Sequence, residues 1–208
     1  RKLNIFLSIV VTGAVILAGG LYFAFFPKRR AQMLYRLGWP ARAARVYARS
    51  GDVERALRIC HSYAVVNPKD WLIRRVAADI QFESNDEAGA ADSYFELIRN
   101  GHGDEPMYGR VLQLVRQPAA AGGPEDRATR IEAVQDALRR NPGSTALRAI
   151  LGCFYAAEKR TDPEALEIYA AAGQRDGEGR IHRLRTVGEY RLGHYSEALQ
   201  SARRTLEI

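Results

Sequence analysis

The chain has 208 residues, with 31 Lys or Arg against 24 Asp or Glu and a net charge of +7. A chain of this length buries a sizeable core without staples, and two cysteines make no disulfide framework, so a small disulfide-held scaffold is excluded; Cys60 and Cys153 read as buried small apolar residues. The charge is lopsided: residues 1–60 hold 11 basic and 2 acidic side chains and the remainder 20 and 22, which argues against nucleic acid as a partner, since its readers spread positive charge over a folded recognition face.

From Ile5 to Phe26 no residue is charged, and at about 1.5 Å per residue this run spans a hydrocarbon core of about 30 Å. It is expected to form a single N-terminal transmembrane helix, with residues 1–27 as the anchor. A cleaved signal peptide is the competing reading, with Arg1 and Lys2 as its basic start and Ala18, Gly19 and Gly20 as the cleavage site. The apolar run continues six residues past that point, however, and ends in an aromatic belt that includes Tyr22, Phe25 and Phe26. Residues 28–36 then read as a basic juxtamembrane segment. Lys28, Arg29 and Arg30, together with the three aromatics, are expected to touch lipid, the cations at anionic headgroups. The basic flank favours a cytoplasmic C-terminal domain, and the Ala- and Arg-rich composition suggests a bacterial inner membrane; a periplasmic domain is the alternative.

Beyond residue 27 the punctuation is regular: Gly51, Asn67 with Pro68, Asn85 with Asp86, residues 101–104, Asn141 with Pro142, Asp162 with Pro163, and Gly193. The stretches between these marks place apolar residues at helical spacing, which predicts helix, short turn, helix throughout. Asp162 is expected to cap free N–H groups while Pro163 sits where its missing N–H costs nothing. The acid pairs Asp86 with Glu87, Asp104 with Glu105 and Glu125 with Asp126 read as helix starts that meet the positive end of the dipole.

Similarity at a fixed period is present. Ala44, Tyr47, Gly51, Ala56, Cys60, Tyr63 and Pro68 return 34 residues later as Ala78, Gln81, Asn85, Ala90, Tyr94, Leu97 and His102, a conservation of size more than of identity. Gly152, Tyr155, Ala165 and Tyr169, then Tyr190, Gly193 and Ala198, continue the pattern. In these residues the chain resembles the tetratricopeptide repeat (TPR) family, whose consensus has a small residue at the eighth position, Tyr at the eleventh, Gly at the fifteenth, Ala at the twentieth and Pro at the thirty-second. The resemblance implies an all-α fold in which residues 37–208 form an α-solenoid of about five helix hairpins behind the transmembrane helix. Ala56, Ala90, Ala165 and Ala198 are expected at close helix crossings. The third unit departs most, with a Pro- and Ala-rich insertion over 117–124 and Arg130 where a small residue is expected. The sequence stops two residues before the proline position of the fifth unit, so the repeats are expected to continue beyond 208.

Catalytic constellations are missing. His61, His102, His182 and His194 are scattered without partners at metal-ligand spacing, and the glycines of 173–179 lack the strand and the Lys-Ser/Thr ending of a phosphate loop. Trp39 and Trp71 open helices in successive units, which points to interhelical packing. No cofactor and no enzymatic activity are expected.

The leading functional expectation is a membrane-anchored adaptor that recruits or assembles partner proteins, integral or peripheral to the membrane. The alternative is a permanent structural subunit of a larger membrane complex, and an enzyme with its catalytic domain beyond Ile208 is a third reading. In the TPR family the first helix of each unit lines a concave groove. Carried onto this sequence, the inward positions are Arg45 and Arg49, then Arg75, Asp79, Phe82 and Glu83, then Arg183, Tyr190 and Arg191, with Ala149, Cys153, Ala156 and Ala157 as a floor of small residues. Such a groove suits an extended or helical segment with acidic and apolar side chains.

Overall fold

The computed structural model describes residues 26–117, 123–172 and 179–206. Among them lie eleven helices: α1 Pro27–Arg36, α2 Pro40–Arg49, α3 Val53–Val66, α4 Trp71–Glu83, α5 Glu87–Arg99, α6 Glu105–Val115, α7 Pro124–Arg140, α8 Thr145–Ala157, α9 Pro163–Ala172, α10 Arg180–Arg191 and α11 Tyr195–Leu206. The chain divides into two compact units, Arg1–Ser84 and Asn85–Ile208.

Helix starts follow local chemistry. Asp70, Asp86 and Asp104 accept hydrogen bonds from the free N–H groups of Ile73 (3.4 Å), Gly89 (3.1 Å) and Met107 (3.0 Å), and Asp162 accepts one from Ala165 (3.2 Å). Helix ends follow backbone sterics. Gly51 and Gly193 take φ of 82° and 80°, values open to glycine, and the equivalent place in the second repeat is taken by Asn85 at 61°, the side chain that best tolerates them. Lys159 holds φ 55° at the corresponding turn of the fourth repeat, where no side-chain chemistry favours it.

In the first unit α1 packs on α2, α2 on α3 and α3 on α4, and α2 also lies beside α4. Its core is built from small and aromatic residues: Ala31, Ala44, Ala56 and Val76 are fully buried, with Tyr47, Cys60, Ile73 and Ile80 nearly so. Residues 28–36, expected as a juxtamembrane segment, thus belong to a helix that inserts Ala31 into this core.

In the second unit α5 packs on α6, α7 on α8, α8 on α9, α9 on α10 and α10 on α11, and α6, α8 and α10 are successive neighbours, as are α5 and α7. This alternation, first helix beside first helix, is the packing of a solenoid. Ala90 and Ala165 are fully buried and Ala198 is 5% exposed. At Gly152 a Cβ would come within 3.2 Å of both Ala172 Cβ and Ile181 Cδ1, so α8, α9 and α10 approach here as closely as the residue allows. Arg130 does not disrupt its repeat. Its side chain is 8% exposed, and the guanidinium lies 4.9 Å from the centre of the Phe95 ring and pairs with Asp92 at 2.5 Å.

The fold class differs from the one expected in its transmembrane helix, which is not among the described elements. The described chain is an all-α array of TPR-like helical hairpins, and no helix among the described residues is long and apolar enough to cross a membrane. The segment expected to be a transmembrane helix, Ile5 to Phe26, lies outside the described residues except for Phe26.

Candidate protein-binding surfaces

Side-by-side packing of α2 and α4 brings the groove positions of the first two repeats onto neighbouring helices. Arg45 and Arg49 are exposed on α2, and Arg75, Asp79 and Phe82 are half-buried on α4, with Glu83 exposed at its end. Arg75 and Asp79 approach to 4.0 Å, an i,i+4 pair that fixes the direction of the guanidinium. Arg45 is near enough to Cys60 on α3 for its charge to favour the thiolate, but burial dominates and pushes the Cys60 thiol up to about 12. That thiol is inert core. Cys153, expected to be buried, is half-buried.

At the starts of α2 and α4 lies a cavity of about 350 Å³ that sequence reasoning missed. Trp39, Tyr63 and Leu72 line it, with Arg42 and Asp70 supplying one charge of each sign. Trp39, expected to pack between helices, is 48% exposed and carries the Arg42 guanidinium 5.0 Å from its ring centre, an arrangement repeated by Arg74 over Trp71 at 5.2 Å. Each arginine follows its tryptophan by three residues, a spacing the sequence displays but a search for catalytic motifs passes over.

In the second unit Arg183, Tyr190 and Arg191 are exposed on α10. Tyr190 stacks edge-on against Tyr195 with ring centres 5.4 Å apart, and Arg191 donates to Thr161 Oγ1 at 3.5 Å. The expected floor is uneven: Ala149 and Ala156 are buried, Cys153 half-buried and Ala157 exposed.

Polar side chains of this unit are largely absorbed in structure. Arg160 forks onto both oxygens of Asp162 (2.8 and 2.9 Å), reaches Glu164 (3.0 Å), and lies 3.9 Å from the centre of the Tyr155 ring. Tyr155 donates to Glu164 at 2.6 Å and accepts from Gln135 at 2.9 Å. The Arg160 bonds lower Asp162 to about 2, and the Tyr155 hydroxyl followed by Arg160 holds Glu164 below the ordinary carboxylate range. Glu105, at the start of α6 as expected, also accepts from Ser144 Oγ (2.6 Å) and the Ala146 N–H (3.3 Å) at the start of α8. Among the described residues no group of three His, Cys, Asp or Glu could hold a metal ion.

Of the residues expected at lipid, Tyr22 and Phe25 lie outside the described residues. Phe26, Lys28, Arg29 and Arg30 are exposed around the start of α1, where Lys28 lies 3.5 Å from Asp52.

These hairpins, with first helix packed beside first helix, define the TPR fold, and comparison with solved structures agrees. The chain is similar to the crystal structure of YrrB, described as a TPR protein with an unusual peptide-binding site, at a TM-score of 0.55 and 17% identity over 81% of this chain and 84% of that one. It is also similar to TTC0263, a thermophilic TPR protein of Thermus thermophilus, at a TM-score of 0.40 and 20% identity over 87% and 89% of the two chains. No family model and no curated protein matches the chain. The inner-membrane, single-pass localisation expected from the sequence is withdrawn: no described helix is long and apolar enough to cross a membrane, and the matched fold is that of TPR proteins.

Proposed function

We propose that the chain is a protein-interaction scaffold that holds and brings together partner proteins, each unit by itself gripping an acidic, partly apolar segment along the exposed faces of its first helices. Arg45, Arg49, Arg75 and Phe82 make the contacts in the first unit, and Arg183, Tyr190 and Arg191 in the second. The observation that carries this reading is the neighbouring pair α2 and α4, which bears exposed Arg45 and Arg49 on α2 and, at the helix starts, an aromatic-lined cavity of about 350 Å³. Arginine and aromatic side chains are the residue types that anchor protein interfaces. The peptide-binding site named for YrrB supports the same use of the fold.

A peptide array probed with the purified chain tests it. Bound peptides are expected to combine Asp or Glu with apolar residues, and Arg45→Glu, Arg75→Glu and Phe82→Ala to weaken the best of them about tenfold, or about 1.4 kcal/mol, with helicity unchanged by circular dichroism. Unchanged binding in all three variants would sink the reading.

A further inference from the structure

The first unit presents a second cleft on a different face. An α-helix turns by about 200° over two residues, so on α2 Tyr47 points away from both Arg45 and Arg49. Above Tyr47, α1 and α3 border a cavity of about 410 Å³. Arg55, Arg58 and Ser62 recur on α3 at spacings of three and four residues and therefore share one helix face, which Tyr35 and Arg36 of α1 confront across the cleft. Three guanidiniums thus border a single cavity, and no carboxylate is among its lining residues.

Two of these guanidiniums are pre-placed. Arg55 rests 4.8 Å from the centre of the Tyr47 ring, and Arg58 pairs with Glu54 one turn back, which leaves other N–H groups of its fork for a further acceptor. Like charges that converge on one cleft repel each other, and an anion seated among them relieves the repulsion. The aromatic walls select the kind of anion. A bare phosphate would satisfy the arginines and leave Tyr35, 48% exposed, in water; a chain segment covers both.

We propose that this cleft is a second binding site and that it takes an acidic segment of a partner protein, with carboxylates on Arg36, Arg55 and Arg58 and an adjacent apolar side chain against Tyr35. Its residues are distinct from those of the groove along α2 and α4, so one scaffold engages two segments at once. Carboxylate and guanidinium meet here in the forked geometry that makes such pairs strong.

The test uses the full chain with a short labelled peptide of Glu residues around one Phe, its Gln counterpart, and inorganic phosphate. Fluorescence anisotropy is expected to show the Glu peptide at least about tenfold tighter than the Gln peptide. Amide hydrogen exchange is expected to show protection at 32–36 and 55–62. The double variant Arg36→Gln, Arg55→Gln loses that protection and narrows the affinity difference, whereas Arg45→Glu, Arg49→Glu keeps protection at 32–36 and 55–62. The single exposed change Arg36→Gln moves both readouts in the same direction and guards against a folding defect. Equal binding of the two peptides overturns the proposal. So does protection confined to 45–49 and 75–82, which would leave the groove reading standing alone, or protection of 32–36 and 55–62 by phosphate at concentrations where the Glu peptide leaves them unprotected.

Discussion

The two units use arginine differently. Residues 26–84 hold 12 Lys or Arg against 5 Asp or Glu, whereas residues 85–208 hold 17 against 19. Where the signs balance, cations are drawn into the structure: Arg130 onto Asp92 and Phe95, Arg160 between Asp162 and Glu164, Arg185 onto Glu189 at 2.6 Å, Arg140 onto the Ile98 carbonyl at 3.1 Å. Where cations are in excess, Arg42 and Arg55 lie on aromatic rings and Arg36, Arg45 and Arg49 are exposed. Local charge balance, more than the repeat pattern, separates arginines tied into the fold from arginines left on its surface.

The largest expected effect breaks the comparison most sharply. Arg130→Ala removes a buried guanidinium with its packing on Phe95 and its pair to Asp92, and should cost about 2–4 kcal/mol in urea unfolding. Arg45→Ala in the first unit should stay within about 0.5 kcal/mol. Similar losses for the two would erase the distinction. Ala56→Leu and Ala165→Leu, one in each unit, should each cost about 1–3 kcal/mol, because both side chains are fully buried and neither crossing has room for three more carbons. Two thermal melts equal to the parent would refute the repeat register.

That register is legible because size is conserved where helices cross. Ala56 and Ala90 are fully buried although their neighbours Cys60 and Tyr94 differ in kind, and the Asp caps at residues 86, 104 and 162 act where sequence places them. Glu105 and Arg130 escape sequence reasoning for one reason: each finds its partner about 40 residues away, a distance at which local pattern carries no information. Trp39 reads as a packing residue because tryptophan is usually buried, yet it is half exposed at a cavity wall. The cleft above Tyr47 is invisible in sequence since it joins α3 to a helix, α1, that composition alone marks only as basic. An apolar run likewise suggests a membrane span from length and hydropathy, while the described helices contain none.

The polar network of the second unit sharpens the contrast through pH. Asp162 and Glu164 titrate below their ordinary range in the folded chain, so the stability they add is complete above about pH 5 and is lost as pH falls, for Asp162 through about 2. Tyr155→Phe removes the Glu164 hydrogen bond, should cost about 1–2 kcal/mol at neutral pH, and should flatten the acid limb of a melting-temperature profile. An unaltered limb would show that the network adds nothing to acid sensitivity. The smallest effect is a gain: Lys159→Gly relieves a left-handed backbone and should stabilise by about 0.5–1 kcal/mol, read as a rise in the urea midpoint.

Binding of an acidic, partly apolar peptide to the full chain as salt is raised compares the units most directly, with Arg45→Glu for the first and Arg183→Glu for the second. If outward cations of the basic unit do the binding, the parent affinity falls steeply with salt, Arg45→Glu loses about tenfold and flattens that dependence, and Arg183→Glu loses less. A larger loss in Arg183→Glu, or salt-independent binding in the parent, would contradict it.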